Sequence, residues 1–168
     1  MNNSPGFPRA MDSQGDGTEE LDCAEITYRA LKKKWIEEQP ILADAFLRRV
    51  KPSGIVEDAI SLSRQKYSTA KECRQKLDKM PGVASLHVGR VRSVSIPDVA
   101  PVELDVIPKP VSDESGTIVE PGHCELTGLP HPQTEQEAAE RAASRLRDMA
   151  RIISRAEEEL EHSRRRPS

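Results

Sequence analysis

The sequence is poor in aromatic residues: its 168 residues include one Trp, two Tyr and two Phe. Leu, Ile, Val and Ala must therefore supply most of any hydrophobic core. The apolar share of 36% allows a core of modest size, so we expect part of the chain to lie outside it. A chain of this length fits a single domain.

Cysteine is also scarce. Cys23, Cys73 and Cys124 form an odd, widely spaced set without a C-x-x-C pair. This pattern argues against a disulfide framework and favours reduced thiols in a cytoplasmic protein.

Long apolar runs and an excess of positive charge are missing as well. No run approaches the roughly 18 apolar residues of a membrane-spanning helix, and residues 1–20 contain no apolar stretch typical of a secretory signal. The formal net charge of −3 is not that of a dedicated nucleic-acid-binding protein. We therefore expect neither a membrane nor a nucleic acid as partner.

The distribution of polar residues predicts the organisation of the chain. Residues 1–22 are rich in Gly, Ser, Asn, Asp and Glu and cannot offset the entropy of ordering, so we predict a disordered N-terminal tail. Residues 23–162 form the predicted domain, with a mobile loop at 108–121. Residues 163–168 form a basic C-terminal tail.

Short strands are predicted where apolar and polar residues alternate, or where short apolar runs are bounded by turn residues. These strands lie at 25–31, 58–64, 82–94, 101–108 and within 123–130.

Two helices are predicted from capping-box spacing, in which a Thr hydroxyl and a Glu three residues later satisfy backbone amides. The boxes at Thr69 and Thr134 begin a short helix over 69–80 and a long amphipathic helix that runs to about residue 162. Because strands outnumber the helices that could connect parallel strands, we predict an α+β fold with a small, mostly antiparallel sheet.

The stretch Pro-Gly-His-Cys-Glu-Leu-Thr-Gly at 121–128 could be a metal site or a strand followed by a turn. His123, Cys124 and His131 are candidate ligands, but they lack the spaced pairs typical of zinc sites. Adjacent residues of a strand also point to opposite faces. We favour a strand that buries Cys124, and expect no metal.

Two further sites are possible from residue type alone. A nucleophilic thiol would need an imidazole within hydrogen-bond reach, such as His87 or His123 beside Cys73 or Cys124. The run Lys32–Lys34 with Trp35 could contact phosphates and stack on a base. Since two glutamates follow the run, we expect a solvated face with Trp35 in the core.

The order of several short segments resembles a group of short bacterial proteins for which no activity is established. The segments are YRAL with a following Trp and Ala-Phe (28–46), ISLSR (60–64), GVASLHVGRVRSV (82–94), LDVIPKP (104–110) and GHCELTGLP (122–130). This resemblance implies a bacterial α+β protein and carries no activity.

A second resemblance is to ADP-ribosyltransferase-like folds, which place an Arg on an early strand, a Ser-x-Ser strand next and a Glu later. Arg29, Ser63 and Glu125 occur in that order, with Ser61 completing the Ser-x-Ser pair. The resemblance implies NAD as a cofactor, held by the guanidinium at phosphate and by the carboxylate at a ribose hydroxyl.

The sequence therefore leads to a non-enzymatic, protein-binding accessory component as the first hypothesis, without a cofactor. Arg155, Glu158 and Arg164, at the charged end of the last helix, are the candidate partner contacts. The alternatives are an NAD-using enzyme of the ADP-ribosyltransferase-like kind and a small thiol or metal site.

Overall fold

The computed structural model describes residues 15–37, 41–77, 80–97 and 101–165. Within these residues the fold is α+β, as predicted, and every strand pairing is antiparallel.

Eight strands are present in the described residues. They are β1 (Ile26–Leu31), β2 (Ile60–Arg64), β3 (Gly82–His87), β4 (Asp105–Pro108), β5 (Val111–Ser112), β6 (Ile118–Glu120), β7 (His123–Thr127) and β8 (Arg151–Ile152).

Five α-helices accompany these strands in the same part of the chain. They are α1 (Lys33–Ile36), α2 (Ala70–Gln75), α3 (Val88–Arg92), α4 (Gln136–Met149) and α5 (Arg155–Arg165), with a 3₁₀ helix at Ala43–Phe46.

Six of the strands form one sheet in the order β4-β7-β2-β1-β3-β8. The first strand of the chain therefore lies inside the sheet, between β2 and β3. The strands β5 and β6 form a separate hairpin within the predicted loop at 108–121.

The first face of the sheet carries the main hydrophobic core. Alternate residues such as Leu31, Leu62 and Leu86 point to this face, and each is at most 2% exposed. Helix α4 packs here with Leu146, and Trp35 of α1 is also buried, as predicted. Cys124 and Leu126 belong to the same core, which confirms the predicted inward face of β7.

The second face is only partly covered, by α2 and α5. Tyr28 and Val83 from the sheet pack here against Ala70 and Cys73 of α2. Helix α2 begins at the predicted capping box: the Thr69 hydroxyl accepts from the Glu72 backbone N–H at 3.2 Å, and the Glu72 carboxylate accepts from that of Thr69 at 3.3 Å.

The predicted helix from Thr134 to about residue 162 is divided in two. Helix α4 ends at Met149, and the edge strand β8 separates it from α5. The Ile153 N–H donates to the Val83 carbonyl at 2.9 Å, so pairing with the edge of β3 replaces helical hydrogen bonds here. The second capping box is absent, because α4 begins at Gln136 and its N-cap Glu135 uses its carboxylate to accept from the His131 N–H.

Two predicted strands are also shorter than expected. The predicted strand 82–94 ends at His87, where α3 begins, because the Val88 and Gly89 amides bond to carbonyls of the segment before β1. The predicted strand 101–108 is regular only from Asp105.

Part of the predicted N-terminal tail packs against the domain. In the segment 15–25, Leu21 is buried at 3% exposure. The Arg64 guanidinium, which is 1% exposed, donates to the Glu25 carboxylate at 2.8 Å and to the Glu19 carbonyl at 3.0 Å. Gly17 adopts a φ of 85°, and a side chain there would collide with the Pro121 carbonyl. The packed region therefore begins before residue 23; the prediction of disorder for residues 1–14, like the end of the basic tail at 166–168, lies outside the described residues.

Candidate functional site

A groove on the second face of the sheet brings together most of the chemically reactive side chains singled out in the sequence. Strands β1, β2 and β7 form its floor, α2 forms one wall and the end of β6 forms the other. The groove encloses about 220 Å³ and is lined by Tyr28, Arg29, Ala30, Ser61, Leu62, Ser63, Cys73, Lys76, Leu77, Glu120 and His123.

The register of the sheet explains which floor residues share the groove. Tyr28 pairs with Ser63, and Ser63 pairs with His123. Directly opposed residues of antiparallel strands project to the same face. Three polar side chains from three strands therefore lie side by side on the second face.

Cys73 is the candidate nucleophile of this groove, and it is held as a thiol. It is 5% exposed, and burial raises the pKa of its side chain, although hydrogen bonds from Ser63 and from the Ala30 backbone act in the opposite direction. A thiol with a raised pKa is a poor nucleophile, because the thiolate is the reactive form.

His123 is oriented by a backbone carbonyl. Its Nδ1 lies 2.7 Å from the Lys109 carbonyl oxygen, which can only accept a hydrogen bond. Nδ1 is therefore the protonated nitrogen of the neutral ring, and Nε2 carries the free lone pair. Among the described residues, the hydrogen bond of the His123 ring is to Lys109, and none joins it to Ser63 or Cys73 as a Ser–His or Cys–His pair would require.

The two walls of the groove are joined by an ion pair. Lys76 Nζ lies 3.6 Å from a Glu120 carboxylate oxygen and links the end of α2 to β6. Leu77, next to Lys76, is 55% exposed at the rim.

Arg29 is one of the residues that line the groove, but its side chain is directed to the other face of the sheet. Its neighbour Tyr28 points to the second face, so the Arg29 side chain leaves the sheet on the first face. There its Nε donates to the Ala45 carbonyl at 3.3 Å, and its Nη1 reaches across to the Ser61 carbonyl at 3.1 Å. Burial lowers the pKa of Arg29 to about 10, which leaves it positively charged at neutral pH.

Glu125 lies on the face opposite Arg29, since it pairs with Ser61 on the second face. It is not among the residues that line the groove. The structure therefore brings Arg29 and Ser63 to one groove but leaves Glu125 outside it, and the guanidinium is already bound to carbonyl oxygens. The arrangement implied by the ADP-ribosyltransferase-like resemblance is not assembled.

The predicted metal ligands are also separated. Cys124 is buried in the core, where burial raises the pKa of its thiol to about 12, whereas His123 faces the groove. The His131 ring accepts the backbone N–H groups of Gln133 and Thr134 at 3.2 Å each, before α4. In the described ranges, no three His, Cys, Asp or Glu residues form a group that could hold a metal ion.

The candidate partner-binding residues on α5 mostly contact other residues of the domain. Glu158 is 1% exposed and binds both Arg74 and Arg155, at 2.9 and 3.0 Å. Arg155 also donates to the Pro81 carbonyl at 2.7 Å. Of the three predicted contacts, only Arg164 is exposed and makes no hydrogen bond or ion pair with the described residues.

A surface that the sequence did not indicate lies on a small hairpin after the 3₁₀ helix. Val50 forms an antiparallel bridge with Val56, and residues 49–55 are all exposed. The pairing of Val50 with Val56 places Arg49, Lys51 and Ile55 on one face of this hairpin. Ile55 is 62% exposed, the highest value among the large apolar side chains exposed in the described residues.

Comparisons with protein-family models, with curated proteins and with solved structures found no match to this chain. No described helix is both long enough and apolar enough to cross a membrane.

Proposed function

We propose that this chain is a non-enzymatic accessory protein of the bacterial cytoplasm that binds a partner protein. The binding surface is the 49–57 hairpin, and the observation that carries the proposal is the exposure of Ile55 beside Arg49 and Lys51. The cytoplasmic setting is supported by the three free thiols.

An isolated exposed Ile is common on protein surfaces and has no meaning by itself. Here Ile55 belongs to a run of seven exposed residues and is the most exposed large apolar side chain of the described residues, at 62%. Protein interfaces commonly combine a buried apolar anchor with a surrounding polar rim. Ile55 with its two basic neighbours has this composition.

The contacts of the groove residues do not favour catalysis there. Burial raises the pKa of the Cys73 thiol and so favours its unreactive, protonated form. Arg29 binds two backbone carbonyls instead of presenting its guanidinium to a ligand. These groups would have to break existing contacts before they could act on a substrate.

Site-specific photo-crosslinking in the native host tests the proposal. A benzoylphenylalanine replaces Ile55 in one variant and Leu160, 53% exposed on α5, in a matched control. We expect a discrete adduct with one protein at position 55 and none at position 160. Mass spectrometry of the adduct identifies that partner.

The purified partner is then used in an equilibrium binding measurement. Ile55→Ser should weaken its binding about tenfold, the loss typical of an apolar anchor, without changing the thermal midpoint of the free chain. Equal adducts at both positions, or unchanged binding by Ile55→Ser, would refute the proposal.

A further inference from the structure

We infer that the partner segment that binds the 49–57 hairpin is acidic and presents an aliphatic side chain to Ile55. This inference rests on the proposed function and names the class of partner. The surface that receives this segment consists of Lys32, Lys34, Arg49, Lys51 and Ile55.

The hairpin places two cations and one aliphatic residue in a row. The Lys51 N–H donates to the Ile55 carbonyl at 2.8 Å, and the Glu57 N–H donates to the Arg49 carbonyl at 2.8 Å. These bonds on either side of the Val50–Val56 bridge fix the register, so Arg49, Lys51 and Ile55 share one face, on which Glu57 lies opposite Arg49.

Helix α1 adds further positive charge next to this row. The Leu42 N–H donates to the Trp35 carbonyl at 3.2 Å, which brings the chain leading to the hairpin back to α1. Burial lowers the pKa of Lys32, and the nearby charges of Arg49 and Lys34 lower it further. The hairpin and α1 therefore form one field of positive charge.

Among the described residues, this charge is only weakly balanced by acidic side chains. Within the described ranges, Lys32, Lys34, Arg49 and Lys51 form no ion pair within 4 Å, whereas Lys33 is paired with Glu37 at 3.6 Å. The carboxylate that opposes the cluster is Glu57, whose effect on the Lys32 pKa is smaller than that of the three neighbouring cations. A partner carrying several carboxylates would complement the surface and associate faster because of it.

A protein segment fits this surface better than a nucleic acid. Single-stranded nucleic acids are bound through exposed aromatic faces on which bases stack. The aromatic ring of this region, Trp35, is 6% exposed, with Arg29 and Lys32 located 5.4 and 5.2 Å from its centroid. The exposed apolar group is instead the branched side chain of Ile55.

Fluorescence anisotropy with the intact chain tests the inference. The probes are fluorescein-labelled peptides that share the same Leu positions and carry Glu, Gln or Lys at all others, together with a labelled oligouridylate. We expect the Glu–Leu peptide to bind at least about fivefold more tightly than the Gln–Leu peptide and to lose most of that advantage between about 50 and about 300 mM NaCl, since exposed charges are screened.

Charge reversal locates the binding. Lys51→Glu should weaken binding of the Glu–Leu peptide about tenfold, whereas Arg145→Glu, the same change of charge on the exposed side of α4, should have little effect. Equal affinity for the Gln–Leu peptide, tighter binding of the oligouridylate, or equal effects of the two reversals would overturn the inference.

Binding measurements with the crosslinked partner distinguish a failure of this inference from a failure of the proposed function. If Ile55→Ser weakens binding of that partner but Lys51→Glu and salt do not, the surface is correct and the acidic character is wrong. If Ile55→Ser has no effect, the proposed function itself fails.

Discussion

Arg74 donates from Nε to Glu158 Oε1 at 2.9 Å, and this contact joins α2 to α5 over the second face of the sheet. Glu158 is 1% exposed, and its other oxygen accepts from Arg155 at 3.0 Å. A buried carboxylate between two guanidinium groups holds the C-terminal helix in place.

Replacing Glu158 by Gln should lower the free energy of unfolding by about 3 kcal/mol, because removal of one partner leaves buried charge uncompensated. Urea unfolding of the purified chain measures the loss. The neighbouring Glu159→Gln is the control, since Glu159 pairs with Lys71 in solvent at 60% exposure. Equal destabilisation by both changes would contradict this role of Glu158.

Glu19 should make stability depend on pH in the acidic range. Burial opposes its ionisation, but hydrogen bonds from Tyr67 and Lys66 outweigh burial and lower the pKa of Glu19 to about 2 from the ordinary 4.5. Because the folded pKa is depressed, its contribution is complete above pH 4.5 and is lost as the pH falls toward 2.

Denaturant unfolding at a series of pH values tests this assignment. The difference in stability between the unmodified chain and Glu19→Gln should shrink steadily from pH 5 to pH 2. Glu20→Gln, at an exposed neighbouring position, serves as the control. A difference that stays constant over this range would show that Glu19 does not titrate as stated.

The three thiols should differ sharply in reactivity. Cys23 is exposed, whereas Cys73 and Cys124 are buried and burial raises the pKa of both. Titration with a chromogenic disulfide reagent at mildly alkaline pH should modify one thiol quickly and the other two only after unfolding. Cys23→Ser should remove the fast phase; a fast phase that persists would indicate a reactive buried cysteine and support the thiol-site alternative.

Addition of NAD should leave the thermal midpoint unchanged. Arg29 and Glu125 point to opposite faces of the sheet, so they cannot hold one dinucleotide together without rearrangement. Differential scanning fluorimetry measures the thermal midpoint of the unmodified chain and of Glu125→Gln with and without NAD. A reproducible shift in the unmodified chain that Arg29→Lys abolishes would restore the NAD-using alternative.

The sequence predicted the features that depend on local chemistry. Alternation located the central strands, and the Thr69 capping box located the start of α2. The turn expected after the strand at 123–130 is also present: Gly128 adopts a φ of 84° there, and a side chain would collide with the Glu103 carbonyl.

Features that depend on distant partners could not be predicted in the same way. The residues Ala150–Ser154 continue a helical pattern, yet Arg151 and Ile152 pair with the edge of β3 as the strand β8. The bonds of Arg64 to Glu19 and Glu25 span about 40 residues of chain. The shared face of Arg49, Lys51 and Ile55 depends on the register of the 49–57 hairpin, which the sequence does not indicate.

The order of strands in the main sheet also bears on how the chain assembles during synthesis. The centre of the sheet consists of β2, β1 and β3, all of which end before residue 88. Helix α2 lies between β2 and β3 in the chain and packs against this central part of the sheet. The strands β7 and β4 then extend one side, and β8 extends the other. A nascent chain can therefore build its sheet outward from a completed middle as the ribosome releases it, with the C-terminal helices arriving last to cover the two faces.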